Sequence, residues 1–358
     1  MSIASELARL QQAKSDIKIA IEAKGVSVPS SATLDTYDDY VAAIVTGGGG
    51  GGIPMPSNLD AVTLNADGYP VSVTLKDGTS ATTTAYKGNT MLTSVTIPSS
   101  VTTVANESFS ECNRITTISF ENGSILSGIG ANAFHHCSGL TSISIPSGVT
   151  SLGSYAFASC TGLTTFAIPS ETTSVADNVL CWCTSLTSIS IPSGVTSIGI
   201  NALAYCGNLS SVTFESGSEL SAIPDGCFIG CGKLQSIVIP SGVTSIGNSA
   251  FRACTSFDAV TLPDALTTIG DSAFSGTSLT TISIPSGVTS IGNDSFVYIS
   301  TLTTVYALNP TPTTFASYAY PFGFSTSNLT IYVPSESVSA YEAADGWNKY
   351  NIQAIPSE

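Results

Sequence analysis

The residue types able to do chemistry in this chain are 9 cysteines, 2 histidines and 25 carboxylates. Seven of the cysteines fall on one row: Cys112, Cys137, Cys160, Cys183, Cys206, Cys231 and Cys254, at steps of 25, 23, 23, 23, 25 and 23 residues. A zinc site needs four converging ligands, and a single thiol per period does not supply them. The spacing predicts a ladder with one thiol per structural unit, at a place where a small buried residue fits. Rungs ~5 Å apart are within disulfide reach, yet free buried thiols are the expectation. Cys181 and Cys227 lie off the row. His135-His136-Cys137 and Cys181-Trp182-Cys183 contain ligand types, but one member of each sits on the inward row. A calcium row over Asp225, Asn248, Asp271 and Asn293 competes with a simpler reading as caps of short turns, which Asp and Asn favour; the caps are expected.

Catalysis finds no constellation. Glycoside hydrolysis needs two carboxylates ~5–9.5 Å apart. Glu121 and Glu215 hold equivalent positions four periods apart, hence ~19 Å at ~4.8 Å per coil. Asp258 and Asp264 flank one strand and are expected to be solvated. No Ser-His-Asp set is readable, and Gly47 to Gly52 lacks the strand-then-helix context of a phosphate loop. No catalytic residue, metal or cofactor is expected. Recognition is better served. The residue before each row cysteine varies: Glu111, His136, Ser159, Trp182, Tyr205, Gly230, Ala253. His136, Trp182 and Tyr205 would line one exposed edge, where aromatics that the core does not require are candidate contacts to a sugar or protein. A flat Ser/Thr-rich strand face is a second candidate surface.

A repeating element must hold these residues. The last residue of an Ile-x-Ile strand falls at Ile97, Phe120, Ile145, Ile168, Ile191, Phe214, Ile239, Leu262 and Ile284, at steps of 22 to 25 residues. Ile143 and Ile145 alternate with Ser142 and Ser144, so one strand face is apolar and the other hydroxylated. Pro146 ends the strand, and Ser147-Gly148 turns the chain. Val149 and Leu152 return inward, Ala156 and Phe157 follow on a short helical turn, and Cys160 and Leu163 close the coil. One coil cannot bury its apolar edge; stacking does.

The pattern Leu-x-x-Ile-x-Ile-Pro-x-x-Val-x-x-Ile-Gly-x-x-Ala-Phe-x-x-Cys stands almost unchanged at 186–206, 234–254 and 279–296. It resembles the BspA-like, or Treponema-type, leucine-rich-repeat family over roughly residues 90–333. Phe120-Glu121 and Phe214-Glu215 depart from it, as does the loss of the row cysteine after Cys254. The resemblance implies a solenoid used for adhesion, without catalytic residues. The fold class expected is a β-rich (α+β) solenoid of 22–25-residue coils with short helical turns, preceded by an N-terminal α-helical hairpin.

The remaining segments set the organisation. Ile3, Leu7, Leu10, Ile17 and Ile21 make a heptad stripe, Gly25 suits a helix end, and Leu34, Tyr37, Val41 and Ile44 share a second apolar face. Residues 1–46 therefore read as a helical attachment or oligomerisation module and 47–52 as a glycine linker. Residues 53–89 read as an N-terminal cap, 90–328 as the solenoid and 329–358 as a C-terminal cap in which Tyr341 and Trp347 cover the last coil. The segment from Glu6 to Lys18, with Leu34-Asp-Thr-Tyr-Asp-Asp-Tyr and the glycine tract, resembles the start of gut-phage tail or fibre proteins, which implies a virion attachment role. A charge of −15 with 42% hydrophobic and 10% charged residues argues against disorder and against nucleic acid or anionic membrane as a partner. The apolar runs are too short to span a bilayer, and Met1 to Glu6 lacks a basic leader region. The expectation is a homo-oligomeric phage receptor-binding protein, on a virion or extracellular, that contacts a bacterial surface glycan or protein and joins other virion proteins through its N-terminal helices. A bacterial surface adhesin is the alternative, and a solenoid glycan hydrolase a remote third.

Overall fold

The computed structural model describes residues 59–64, 70–75, 86–315, 321–323 and 328–356. The expected helical hairpin and glycine linker lie outside these residues. The described chain is a solenoid in which each unit contributes one layer to a stack. Equivalent strands of successive units pair in parallel and in register, as Ser188↔Ser211 and Ile191↔Phe214 do. Pro70–Leu75 opens the stack, paired antiparallel with Leu59–Leu64 and parallel with Ser94–Ile97. Thr330–Val333 and Asn351–Ala354 close it.

Each coil has three sides. The first carries strands such as Ser188–Ile191 and Thr281–Ile284, whose burial alternates exposed and buried as their Ser-Ile-Ser-Ile or Thr-Ile-Ser-Ile sequence requires. The second carries two-residue strands such as Ser197–Ile198 and Ser245–Ile246. The abundant Ser and Thr have a structural use. On both sides hydroxyls bond the equivalent carbonyl one coil back, as Thr187 Oγ1 does to Thr164 (3.3 Å) and Thr196 Oγ1 to Thr173 (3.2 Å).

The third side corrects the expectation of short helical turns. The Asn201-to-Tyr205 type of segment is not helical. It is two linked turns with left-handed residues at both ends, Asn201 at φ 55° and Tyr205 at φ 60°. Alternate N–H groups close bonds within the coil, as Ala204 N does to Asn201 O. The others donate to the next coil: Asn201 to Asp225, Leu203 to Cys227, Tyr205 to Ile229. A third ladder thus runs the length of the stack, and no backbone donor of the segment is left for an α-helix to use. The α-helix among the described residues is Val338–Ala343, in the C-terminal cap.

The core is one continuous apolar column. Tyr86, Phe109, Phe134 and Phe157 stack face to face, with centroids 5.1–5.5 Å apart, and Phe228, Phe251, Phe274, Phe296 and Phe322 form a second such run. Leu180 and Leu203 stand between the two runs. The Ile-Gly pairs follow from close stacking. A Cβ on Gly130 would lie 2.6 Å from the Asn106 nitrogen, and one on Gly270 would lie 2.5 Å from that of Asn248, so a side chain there would hold two coils apart.

Two units are two residues longer. In each the extra residues form a turn whose third position needs a left-handed glycine, Gly123 at φ 77° and Gly217 at φ 82°. At the second insertion both strand ladders part: Ser211–Phe214 does not pair with Ser236–Val238, nor Ser197–Ile198 with Ala222–Ile223. A groove of about 520 Å³ opens on the hydroxyl face there, lined by Ser211, Thr213, Glu215, Ser236 and Val238 among others.

Candidate recognition site

The variable row lies along one corner of the third side. Glu111, His136, Ser159, Trp182, Tyr205 and Ala253 all have φ between 58° and 65°, and Gly230 and Gly276 continue the row at 73° and 72°. A left-handed conformation costs a non-glycine residue roughly 1 kcal/mol or more. Tyr298 shares this conformation at φ 58°, and two further bulky aromatics, Trp182 and Tyr205, likewise occupy positions that glycine fills elsewhere on the same row. Both are substantially exposed, Trp182 at 49% and Tyr205 at 38%. Their rings stack with centroids 4.3 Å apart and planes 14° apart. Tyr205 leans onto the next coil, where a Cβ on Gly230 would meet its ring at 2.6 Å. Glycine at 230 makes room for that ring.

Beneath the pair lies an apolar floor that is separate from the main core: Ala158, Cys181 and Ala204, with Ile229 packed against them. These residues each precede the corner row by one position, and Ala158, Cys181 and Ala204 are buried. The sequence reading missed this floor. Its signal was available, since the column Ala158, Cys181, Ala204, Ile229 is small or apolar while Ser110, His135 and Arg252 in the same column are polar. Leu180 and Leu203, the residues that interrupt the phenylalanine column, belong to the same two coils as the exposed rings.

His136 stands on the same row, exposed, but two coils from Trp182. Its ring meets His135 edge-on at 4.2 Å, and His135 in turn faces Tyr155 at 6.3 Å. Burial first, then the neighbouring His136, lowers the His135 pKa below its ordinary value. Trp182 and Tyr205 thus form one stacked pair, from which His136 stands two coils away.

The cysteine row is a ladder. All nine thiols are free and buried. Each ladder Sγ donates to a carbonyl one coil back: Cys137 to Phe109 (3.2 Å), Cys160 to Phe134 (3.2 Å), Cys254 to Phe228 (3.1 Å). Burial pushes the thiol pKa of Cys112, Cys160, Cys206 and Cys254 up to about 12 and raises those of Cys137, Cys183 and Cys231 well above the ordinary range. Such thiols are poor nucleophiles and poor metal ligands. Among the described residues no group of three or more His, Cys, Asp or Glu could hold a metal.

The Asp/Asn row corrects a second expectation. These side chains do not cap their own turns. Three of the four Oδ1 atoms accept the N–H of the equivalent residue in the next coil: Asp225 from Asn248 (2.6 Å), Asn248 from Asp271 (2.7 Å), Asp271 from Asn293 (2.6 Å). Asn248 Nδ2 also donates to Asp225 Oδ2 at 3.2 Å. Glu121 and Glu215 behave alike, each accepting a backbone N–H from the preceding coil, from Ser99 (3.1 Å) and Ser193 (3.3 Å). Both carboxylates are tied to scaffold, and Asp258 and Asp264 are exposed on either side of Ala259–Thr261.

Comparisons with known proteins agree with this geometry. A leucine-rich repeat protein from Bacteroides ovatus superposes with a TM-score of 0.54 at 24% identity, over 82% of this chain and 67% of its own. One from Eubacterium ventriosum gives a TM-score of 0.50 at 21% identity, over 84% of each chain. Both likenesses concern the fold. Among curated proteins none matches. A family model described as the BspA type leucine rich repeat region matches residues 79–126, 123–222 and 221–342 in six copies. With three ladders, a buried thiol row and this match over most of its length, the chain belongs to the BspA-type leucine-rich-repeat family.

Proposed function

We propose that this protein is a non-enzymatic adhesin whose solenoid presents the Trp182–Tyr205 corner to a ligand on a bacterial surface. The observation that carries the reading is the exposed stacked pair itself, held in left-handed backbone on a row where glycine would be free of strain. Strain retained at an exposed position is a pointer to function. Among the described residues Glu121, Glu215, Asp225 and Asp271 are committed to hydrogen bonds between coils, and Asp258 and Asp264 stand on the surface, which argues against a role for these carboxylates in hydrolysis.

Display on a bacterial cell surface is the first setting proposed. Attachment to a phage tail or fibre, through residues 1–46 and a homo-oligomer, is the second. It rests on the likeness of the Glu6-to-Lys18 segment and the following glycine tract to virion proteins. Binding of the labelled full chain to intact bacterial and host cells tests the common claim. Trp182→Ala with Tyr205→Ala should reduce retention at least tenfold while the melting curve is preserved. Undiminished retention would remove the corner from the function.

A further inference from the structure

Building on the proposed adhesive role of this corner, we infer that Trp182 and Tyr205 form a platform for a neutral pyranose sugar. Three features of the surface lead there. First, the rings are nearly parallel, at 14°. Rings that enclose a quaternary ammonium must cross one another to wall it in; a parallel stack offers a flat plate instead. Tyr205 is covered on one side by Trp182 and backed on the other by Gly230. The free plate is therefore the face of Trp182 turned away from Tyr205. A pyranose chair presents a patch of C–H bonds of matching size, polarised against the electron-rich face of an indole.

Second, the patch is the wrong size for a protein. A fully buried aromatic side chain covers ~150–250 Å². At 49% and 38% exposure the two rings together offer about 200 Å², against ~800 Å² per partner in a standard protein interface.

Third, the surroundings are uncharged and rich in hydrogen-bonding groups. From Ser159 to Ser210 the chain carries two charged residues, Glu171 and Asp177. Ser159 on the same corner row, and Asn178 and Asn201 on the opposite corner of the third side, offer hydroxyl and amide groups suited to sugar hydroxyls. With a total charge of −15 and no cation in this stretch, an acidic sugar gains nothing here and is repelled at long range.

The test uses the two tryptophans as probe and control. Trp182 is half-exposed and Trp347 fully buried, so a ligand on the corner changes the fluorescence of the first alone. The full chain is applied to an array of neutral and acidic glycans, and hits are titrated by tryptophan emission and acrylamide quenching. The expected result is retention on one or more neutral glycans, with a blue shift and shielding of the quenchable tryptophan. Trp182→Ala should abolish it, Tyr205→Ala should weaken it at least tenfold, and Trp182→Phe should retain part of it. Tyr298→Ala, on the same row but outside the stack, should have no effect. Retention on acidic glycans alone, no retention on any glycan, or binding that Trp182→Ala leaves intact would overturn the sugar assignment. If cells are still bound through Trp182 in that case, the adhesive reading stands and the ligand is of another class.

Discussion

A buried thiol is a neutral group, and this chain depends on that neutrality once per coil. The ordinary thiol value is 9.0, and burial raises that of Cys160 to about 12. Below pH 9 the thiols are protonated in native and unfolded chains alike, and the ladder contributes its full stability. Above it the unfolded chain releases protons that the native chain holds, so stability falls as pH rises towards 12, by up to about 1.4 kcal/mol per thiol per pH unit. Urea midpoints measured from pH 7.5 to 10.5 should drop steeply, and more shallowly when two ladder cysteines are replaced by alanine; a flat profile would contradict the burial. The row was legible in the sequence because spacing alone exposes it. The Asp225-to-Asn293 row was legible as a row but not as a bond. Asp and Asn serve equally as caps or as acceptors for a neighbouring strand, and only the distance to the next coil decides between them.

The element that sequence reading described least well is the third side of the coil. Ala-Phe between Asn or Asp and Cys has the composition of a helical turn, and the period of one coil holds too few residues to show a helical repeat. Left-handed residues at both ends turn the donors outward instead, and Tyr155, Trp182 and Tyr205 give no warning of it because bulky residues avoid that region. The strands were legible from the Ser-Ile alternation. What the third side buries is the phenylalanine column. Phe274 stacks on Phe251 and on Phe296 at 5.3 Å, so Phe274→Ala removes two ring contacts and leaves a cavity. We expect a loss of about 3–5 kcal/mol, read by chemical denaturation. A loss under 1 kcal/mol would mean that the column is not the main support of the stack.

At the scale of the molecule, the coils group in fours. Ile97, Ser99, Phe120 and Glu121 recur as Ile191, Ser193, Phe214 and Glu215, each 94 residues later, so the long unit returns every fourth coil. At the far end the last coil packs against aromatic side chains. Trp347 is fully buried, its Nε1 donates to the Thr313 carbonyl at 2.9 Å, and its ring meets Phe315 and Tyr341 at 4.8 Å. Trp347→Ala should bare the final layer, and light scattering should then show concentration-dependent growth that the parent chain lacks; an unchanged mass would assign the seal to other residues. The N-terminal 46 residues remain an expectation drawn from a heptad stripe. The third ladder has a reach beyond cohesion. Its donors all aim at the following coil, from Glu107 to Ala131 through Gly276 to Val297, while the amides of ordinary parallel strands alternate and largely cancel. Peptide dipoles therefore add along that one flank as they do along a helix, a polarity that no count of ionisable side chains would reveal.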